Sequence, residues 1–129
     1  MKNIVFICVE NSNRSQMAQA FANIHGDNIK AYSAGSKPSG KINPKAIKAM
    51  SELGYDLNLH SSSSTEDLPN VVMDYMVTMG CGDSCPYVPA NNRIDWDLPD
   101  PRDMDEKEFR KVRDRIQELV INLIKQIES

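Results

Sequence analysis

The feature that most constrains the fold is a short apolar run near the start of the chain, residues 3–9 (NIVFICV). The run is continuous and rich in β-branched and aromatic residues, with no alternation of apolar and polar positions. That pattern is typical of a strand buried on both faces of a parallel sheet. Because parallel strands are joined by crossovers that are usually helical, a helix is expected to follow.

The rest of the chain continues the alternation of strands and helices. The predicted elements are a helix from Ser15 to a stop at Gly26, a strand over 29–35, a helix from Pro44 to Leu53 capped by Asn43, strands over 71–79 and 94–96, and a long C-terminal helix. Asp105 and Glu108 form a capping-box pattern at that last helix, whose apolar face runs from Phe109 to Ile127. This order predicts an α/β fold: a single three-layer domain, residues 1–129, with a central four-stranded parallel sheet flanked by helices.

Composition and charge limit the partners that the chain can have. Its 129 residues match one ordinary domain, and 40% hydrophobic with 26% charged residues is typical of a soluble globular protein. The net charge of -3 gives no general attraction to nucleic acid or anionic lipid. The first apolar run stops at Glu10 without a cleavage-type segment, and no run approaches the roughly 20 apolar residues of a membrane span. We therefore expect a cytoplasmic protein that binds neither nucleic acid nor membranes.

Residues 8–15 (CVENSNRS) form a polar connection between the first strand and the first helix. In open parallel sheets, ligands bind beyond the carboxyl ends of the strands, where such connections lie. Backbone N–H groups of this loop and the start of the helix are expected to converge on one oxyanion, to which an arginine side chain adds a planar fork of donors. The predicted oxyanion-binding residues are Glu10, Asn11, Ser12, Asn13 and Arg14.

Cys8 is predicted to lie at the floor of this loop as a nucleophile. The same N–H groups and the Arg14 guanidinium stabilise a thiolate, and the Ser15 hydroxyl can donate a hydrogen bond to it. The alternative is that Cys8 is a small buried hydrophobe at a strand end and Arg14 a surface cation. The coincidence of a strand, a polar loop, an Arg-Ser pair and a helix start favours an active site.

Two further cysteines, Cys81 and Cys85, stand in a glycine-containing segment (GCGDSCP, 80–86) just past a predicted strand. One interpretation is half of a zinc site completed by Cys8 or His60, although a single Cys-x3-Cys lacks the two-pair spacing of a structural zinc site. Another is two incidental thiols. A redox function explains all three cysteines together, which neither alternative does.

The combination of these motifs resembles a known family. Cys8-x5-Arg14-Ser15, SAG at 33–35 and Asp100-Pro101 resemble the low-molecular-weight protein tyrosine phosphatase fold group over essentially the whole chain. Within that group the chain is most similar to the thioredoxin-coupled arsenate reductases. The segments that carry this closer resemblance are NSNRSQMA (11–18), YSAG (32–35), INPKAIKAM (42–50) and VTMGCGDSCP (77–86).

The resemblance implies a thiol relay that detoxifies arsenate and needs no cofactor. Cys8 would attack arsenate, Cys81 would attack the Cys8 adduct to release arsenite, and Cys85 would resolve the Cys8–Cys81 disulfide. Thioredoxin or a similar thiol reductant would then reduce the Cys81–Cys85 disulfide. Because phosphate has nearly the same shape and charge as arsenate, we expect it to compete, and a weak phosphatase side activity is expected.

The resemblance also implies that Asp100, immediately before Pro101, donates the proton to the departing oxygen. Asp97 is the alternative in the same acidic stretch, IDWDLPDPRD. In the phosphatases aromatic residues commonly follow the proline and flank an aryl substrate. Here Arg102 and Asp103 follow, which argues against a phosphotyrosine pocket.

The chain departs from the family pattern at several positions. Asn13 and Glu10 replace a cysteine and a glycine that the reductases often carry, so the Glu10 carboxylate must point away from the bound anion. Some relatives bind potassium; Asn11 and Ser33 match that site, but Gln19 and a serine near position 63 stand where carboxylates are expected. We therefore predict no metal site. His25 and His60 are predicted to be surface residues.

Three hypotheses follow from these observations. The first is an arsenate reductase that uses all three cysteines. The second is a phosphatase that depends on Cys8, Arg14 and Asp100 but not on Cys81 or Cys85. The third is a non-enzymatic thiol or zinc sensor.

Overall fold

The computed structural model describes residues 1–80 and 88–128. Four strands form one sheet: β1 (Lys2–Cys8), β2 (Ile29–Gly35), β3 (Met73–Thr78) and β4 (Ala90–Asp95). They pair in parallel, in the order β2-β1-β3-β4. The other described elements are helices α1 (Arg14–His25), α2 (Pro44–Ser51) and α3 (Glu106–Glu128) and two 3-10 turns, Leu57–Leu59 and Thr65–Asp67. The predicted α/β fold with a four-stranded parallel sheet flanked by helices is confirmed.

β1 occupies the interior of the sheet, as its continuous apolar sequence predicts. Its central residues, Ile4 to Ile7, have no exposed surface. Ile4 and Phe6 belong to the large core cluster that contains the buried residues of all three helices, whereas Val5 and Ile7 belong to a smaller cluster on the other face. Each such side chain stabilises the fold by roughly 1.5–3 kcal/mol through burial. β1 therefore ends, at Cys8, in a part of the molecule that is fixed from both sides.

Three predicted helix ends are found where their capping residues stand, whereas α2, predicted to reach Leu53, ends at Ser51 because the N–H groups of Leu53 and Gly54 bond three residues back. α1 ends at Gly26, whose N–H donates to the Ala22 carbonyl over 2.9 Å. At α2, the Asn43 side chain accepts from the Lys45 N–H, also over 2.9 Å. At α3, Asp105 Oδ1 accepts from the backbone N–H of Glu108 over 2.8 Å. Each cap satisfies a backbone group that the helix itself leaves without a partner.

Two strand boundaries differ from the prediction. β3 begins at Met73 rather than at 71, because Val71 and Val72 are exposed and the Val71 N–H donates to the Pro69 carbonyl in a turn. β4 begins at Ala90, four positions before the predicted residue 94. Its polar residues 91–93 are exposed at the edge of the sheet, where backbone pairing with β3 does not require apolar side chains.

The apolar face predicted for the C-terminal helix is confirmed. Its members are buried or packed against the core: Phe109, Val112, Ile116, Leu119, Val120, Leu123 and Ile127. The opposite face is strongly charged, and in the part of the chain that the structure describes no helix combines the length and apolar character needed to cross a membrane.

An ion-pair cluster joins the end of α2 to the start of α3. Arg110 donates to both carboxylate oxygens of Glu52, from Nε to Oε1 at 3.0 Å and from Nη2 to Oε2 at 2.8 Å, and Arg113 Nη1 donates to Oε1 at 2.8 Å. Arg113 Nη1 also donates to the carbonyl of Ala49 in the last turn of α2, and this bond joins α2 to α3. The hydrogen bond from Arg110, followed by that from Arg113, lowers the pKa of Glu52 to about 2.

We expect Glu52→Gln to lower the free energy of unfolding at pH 7, because the substitution removes a carboxylate that both arginines stabilise in the folded state. A carboxylate with a depressed pKa stabilises the fold above its unfolded pKa, and that contribution is lost as the pH falls towards the folded pKa. The difference between variant and unsubstituted protein should therefore shrink between pH 4.5 and pH 2. Urea unfolding at several pH values measures it.

The matched control for this prediction is Glu118→Gln, which removes an exposed pair with Arg115 within α3. Exposed pairs of this kind contribute little to stability, so the control should behave as the unsubstituted protein does. A Glu52→Gln difference that stays constant with pH would contradict the assignment.

Candidate active site

The carboxyl ends of β1, β3 and β4 open onto a cleft. The walls of this cleft are the loop after β1, Gly80 beyond the end of β3, and the segment after β4. The cleft is lined by Cys8, Val9, Glu10, Asn13, Arg14, Gly80, Asp97, Leu98, Asp100 and Arg102. The structure thus brings together, from distant parts of the sequence, Cys8, Arg14 and both candidate acids. Cys81 and Cys85 lie outside the described residues.

The loop after β1 directs its carbonyl groups away from the cleft. The carbonyls of residues 9–13 each accept a hydrogen bond from the surrounding protein; the donors are Lys37 N, Ser39 N, Gln16 Nε2, Asn43 N and Met17 N. In a trans peptide the C=O and the following N–H point in opposite directions. The N–H groups of residues 10–14 therefore face away from these donors, which is the arrangement required to bind an anion.

A tight backbone contact and a left-handed residue shape this loop. Asn11 has φ +51°, a conformation that asparagine tolerates better than most residues. Gly35, at the end of β2, lies so close that a Cβ there would come within 2.6 Å of the Val9 carbonyl oxygen. The glycine of the SAG motif therefore permits the loop to pack against the sheet.

The Cys8 thiol is buried and contacts one hydroxyl. Its Sγ lies 2.9 Å from Ser15 Oγ, and Asn11 Nδ2 donates to that Oγ over 2.8 Å. The orientation of the Asn11 amide is fixed because its Oδ1 accepts from the backbone N–H of Ser63. Because Ser15 Oγ accepts from Asn11, its own hydrogen is available for donation to Cys8 Sγ.

A chain of hydrogen bonds continues behind Ser15. Gln16 Nε2 donates to Asn11 Oδ1 and to the Ser61 carbonyl, so its Oε1 faces His60 Nδ1 at 2.9 Å. His60 Nδ1 must therefore carry the proton, and His60 Nε2 accepts from the Tyr55 hydroxyl at 2.6 Å. Every bond of this chain donates in the direction of Cys8.

The prediction that His60 is a surface residue is wrong. It is half-buried, both ring nitrogens are hydrogen-bonded, and burial lowers its pKa, which favours the neutral ring. A ring engaged at both nitrogens does not suit a zinc ligand. His25 is exposed, as predicted, and stacks on Phe21.

Sequence reasoning missed Gln16 and His60 as parts of the site. Gln16 is fully buried although it stands next to the apolar positions 17 and 18 of α1. A glutamine between Ser15 and the apolar positions 17 and 18 of a predicted helix is the one signal in the sequence that could have indicated a buried polar network, because a buried amide needs hydrogen-bond partners. Nothing local marks His60, which lies 44 positions from Gln16.

Arg14 is held as a preformed donor at the cleft. Its Nη1 donates to the Leu98 carbonyl at 3.1 Å, and its Nε is buried without a hydrogen-bond partner among the described residues. Gly80 adopts φ +78°, and a Cβ there would lie 2.5 Å from Arg14 Nη1. A larger residue at position 80 would displace the guanidinium. An oxyanion bound beside Arg14 would supply the acceptor that the buried Nε lacks among the described residues.

The two candidate acids differ in their surroundings. Asp100 Oδ2 lies 3.9 Å from Arg14 Nη2, and its Oδ1 accepts from the Arg102 N–H at 3.0 Å. Asp97 is exposed and lines the same cleft. Of the two, Asp100 is the carboxylate oriented towards the arginine.

The Glu10 side chain forms an ion pair rather than facing the anion loop. Its Oε1 lies 3.0 Å from Arg102 Nη1, with both side chains at the rim of the cleft. The orientation that anion binding requires of Glu10 is thus observed, and the residue that holds it comes from the segment after β4.

The residues that were compared with a potassium site of some relatives hydrogen-bond to one another and to the backbone. Ser33 Oγ donates to Gln19 Oε1 at 2.6 Å, and Gln19 Nε2 donates to the Ala31 carbonyl. Asn11 Oδ1 already accepts two hydrogen bonds. The side-chain oxygens of Gln19 and Asn11 thus accept from neutral donors, one of which is the Ser33 hydroxyl. Within residues 1–80 and 88–128 no group of three His, Cys, Asp or Glu side chains could hold a metal ion.

We expect Ser15→Ala to slow the alkylation of Cys8 by iodoacetamide roughly tenfold at neutral pH, because the thiolate loses its hydroxyl donor. The measurement uses a Cys81→Ser/Cys85→Ser background, so that Cys8 alone reacts. Ser51→Ala, in which a remote hydroxyl that bonds to the Lys48 carbonyl is removed, is the matched control. An unchanged rate in Ser15→Ala would show that the hydroxyl does not stabilise the thiolate.

His60 should make stability depend on pH. Its folded pKa is depressed, so its contribution is fully present above the unfolded value of 6.5 and is lost as the pH falls towards the folded value. Between pH 7.5 and pH 5.5 the free energy of unfolding should fall less in His60→Asn than in the unsubstituted protein. His25→Asn is the control, and its free energy of unfolding should decrease as much as that of the unsubstituted protein. The same decrease in all three proteins would show that His60 does not make stability depend on pH.

Comparison with known proteins identifies relatives over nearly the whole chain. Arsenate reductase 1 of Staphylococcus epidermidis is 43% identical over 120 residues, which cover 89% of each chain. The arsenate reductase of Staphylococcus xylosus is 39% identical over 125 residues, or 94% of this chain and 95% of that one.

Solved structures give the same relationship. An arsenate reductase in the phosphate binding state superposes with a TM-score of 0.89 at 37% identity, covering 98% of this chain and 99% of that chain. A thioredoxin-dependent arsenate reductase of Corynebacterium glutamicum matches 99% of this chain and 62% of its own length, with a TM-score of 0.79 and 32% identity.

The family model of low molecular weight phosphotyrosine protein phosphatases matches residues 3–129. That match includes the strand, loop and helix that hold Cys8, Arg14 and Ser15, and the segment after β4 that holds Asp100. Sequence, fold and cleft therefore agree that the chain belongs to the low molecular weight phosphotyrosine protein phosphatase family.

Proposed function

We propose that the protein reduces arsenate to arsenite, with Cys8 as the nucleophile. The observation that carries the proposal is the buried Cys8 thiol, 2.9 Å from Ser15 Oγ at the floor of a cleft that also presents Arg14. The relatives named arsenate reductases, at about 40% identity over the same residues, support arsenate rather than an ester as the substrate.

Arsenate would bind between the N–H groups of residues 10–14 and the Arg14 guanidinium. The Cys8 thiolate attacks arsenic, an As–S bond forms, and one oxygen leaves as water after Asp100 donates a proton to it. The position of Asp100 beside Arg14 supports this assignment over Asp97. Because a phosphate-bound relative has the same fold, inorganic phosphate is expected to compete for this site.

The reduction step requires a second thiol. The Cys81 thiolate attacks the Cys8 sulfur, the electron pair of the S–As bond passes to arsenic, and arsenite leaves as a Cys8–Cys81 disulfide forms. Cys85 then attacks Cys81, which frees Cys8 and leaves a Cys81–Cys85 disulfide. Support for Cys81 in this step comes from its neighbour Gly80, which lines the cleft and lies so near Arg14 that a Cβ there would be 2.5 Å from Nη1.

An external dithiol would return the protein to its reduced state. Thiol exchange with the Cys81–Cys85 disulfide needs no cofactor on this chain. Thioredoxin is the proposed reductant, on the basis of the three-cysteine pattern and of the thioredoxin-dependent relative.

A phosphatase activity is the second candidate function. The family to which the chain belongs is named for it, and Cys8, Arg14 and Asp100 would suffice for attack on a phosphate ester. That reaction does not use Cys81 or Cys85, so the two functions can be separated by substitution.

We expect arsenate-dependent oxidation of a thioredoxin system by the unsubstituted protein, and the loss of two thiols in one turnover without reductant. Cys81→Ser and Cys85→Ser should each abolish coupled turnover, because the relay lacks a thiol, but should leave slow hydrolysis of p-nitrophenyl phosphate intact. Cys8→Ser is the control that removes both activities.

Coupled turnover in Cys81→Ser or Cys85→Ser equal to that of the unsubstituted protein would refute the relay. Efficient hydrolysis of p-nitrophenyl phosphate, without arsenate-dependent loss of thiols, would select the phosphatase instead.

A further inference from the structure

Glu10 and Arg102 form an ion pair across the mouth of the cleft. Glu10 belongs to the anion-binding loop and Arg102 to the segment after β4, 92 positions away in sequence. Glu10 Oε1 and Arg102 Nη1 are 3.0 Å apart, and the side chains are 38% and 54% exposed. Both residues line the cleft that contains Cys8 and Arg14. The pair therefore connects the two walls at the rim.

Glu10 and Arg102 are each held in place by hydrogen bonds within the site. The Glu10 carbonyl accepts from Ser39 N and from Ser62 Oγ, which fixes the backbone from which its side chain extends. The Arg102 N–H donates to Asp100 Oδ1, so Arg102 and the proposed acid share one turn. The ion pair thus links the anion loop directly to the acid-bearing segment.

The pair also balances charge at an anion site. A lone carboxylate at position 10 would repel a bound oxyanion, and a lone guanidinium at position 102 would attract it. Paired, the two charges largely cancel for an anion at the floor of the cleft, and Arg14 remains the cation that binds it. Removing either partner should therefore change oxyanion affinity, in opposite directions.

The location of the pair bears on which substrates fit. Displacement at arsenic or phosphorus proceeds with the attacking and leaving atoms roughly in line. With Cys8 at the floor, the leaving oxygen points towards the mouth. For a free oxyanion that oxygen departs as water, whereas for an ester it carries a substituent that must extend through the rim.

We propose that the Glu10–Arg102 pair is a specificity gate that admits free tetrahedral oxyanions and disfavours their aryl esters. This inference rests on the proposed function in one respect, the assignment of Cys8 as nucleophile. Glu10 and Arg102 are specificity-determining residues: they shape and neutralise the mouth and take no part in the transfer of electrons.

Binding of inorganic phosphate tests the charge argument without requiring turnover. Phosphate protection of Cys8 from iodoacetamide is measured in the Cys81→Ser/Cys85→Ser background. Arg102→Gln should weaken phosphate affinity about three- to tenfold and Glu10→Gln should strengthen it by a similar factor, as expected for one charge partly screened by water. The double variant should return close to the starting affinity, and all effects should decrease at high salt.

Hydrolysis of p-nitrophenyl phosphate tests the steric argument. Glu10→Ala/Arg102→Ala should raise kcat/KM for this ester about tenfold or more while changing inhibition by phosphate much less. Glu108→Ala/Lys111→Ala removes an exposed ion pair on α3, remote from the cleft, and should leave both values unchanged. Equal melting temperatures verify that the variants fold.

Two results would overturn the gate. One is a change of phosphate affinity in the same direction for Glu10→Gln and Arg102→Gln. The other is an ester kcat/KM that does not rise in Glu10→Ala/Arg102→Ala. Neither readout involves arsenate or a reductant, so a protein that shows both expected effects but reduces no arsenate would refute the proposed function and leave the gate standing.

Discussion

The loop after β1 has to satisfy its own carbonyl groups, and the rest of the site depends on how it does so. Five successive carbonyls accept hydrogen bonds from α1, from the start of α2 and from the segment after β2. Buried carbonyls without partners would each cost about 1–3 kcal/mol, so these flanking donors hold the loop in one conformation. The N–H groups on the other side of the same peptides are then directed towards an anion. The proposed anion site therefore arises from the hydrogen bonding of the loop backbone, to which Arg14 adds one cation.

The sheet determines where this loop can be. β1 pairs with β2 and β3 on either side, and its register sets Cys8 opposite Gly35. The glycine leaves room for the loop to fold back over the sheet edge. A parallel sheet therefore does two things for the chemistry: it fixes the thiol in a rigid strand end, and it supplies the small residue beneath the loop.

Much of the fold could be predicted from the sequence, because buried elements require recognisable arrangements of apolar residues. β1 and α3 show the two clearest patterns, a continuous apolar run and an apolar helical face, and both elements were predicted close to their observed bounds. β4 was predicted too short because an edge strand needs backbone partners but few apolar side chains. The location of Cys8, Arg14 and Asp100 in one cleft follows from the topological rule for parallel sheets. The network through Gln16 and His60 and the pair between Glu10 and Arg102 could not be predicted, since each joins residues far apart in sequence that carry no shared local signal.

The hydrogen-bond chain behind Cys8 has a consequence for the movement of protons. From the Tyr55 hydroxyl to the thiol, every bond donates towards Cys8, and two of the links are the side-chain amides of Gln16 and Asn11. An amide donates a hydrogen bond but does not pass its proton on. The hydrogen bonds can therefore polarise one another along the chain, but they do not conduct protons. A proton lost by Cys8 would therefore not travel along this chain of hydrogen bonds. The other side of the thiol is the cleft, where the proposed oxyanion site lies.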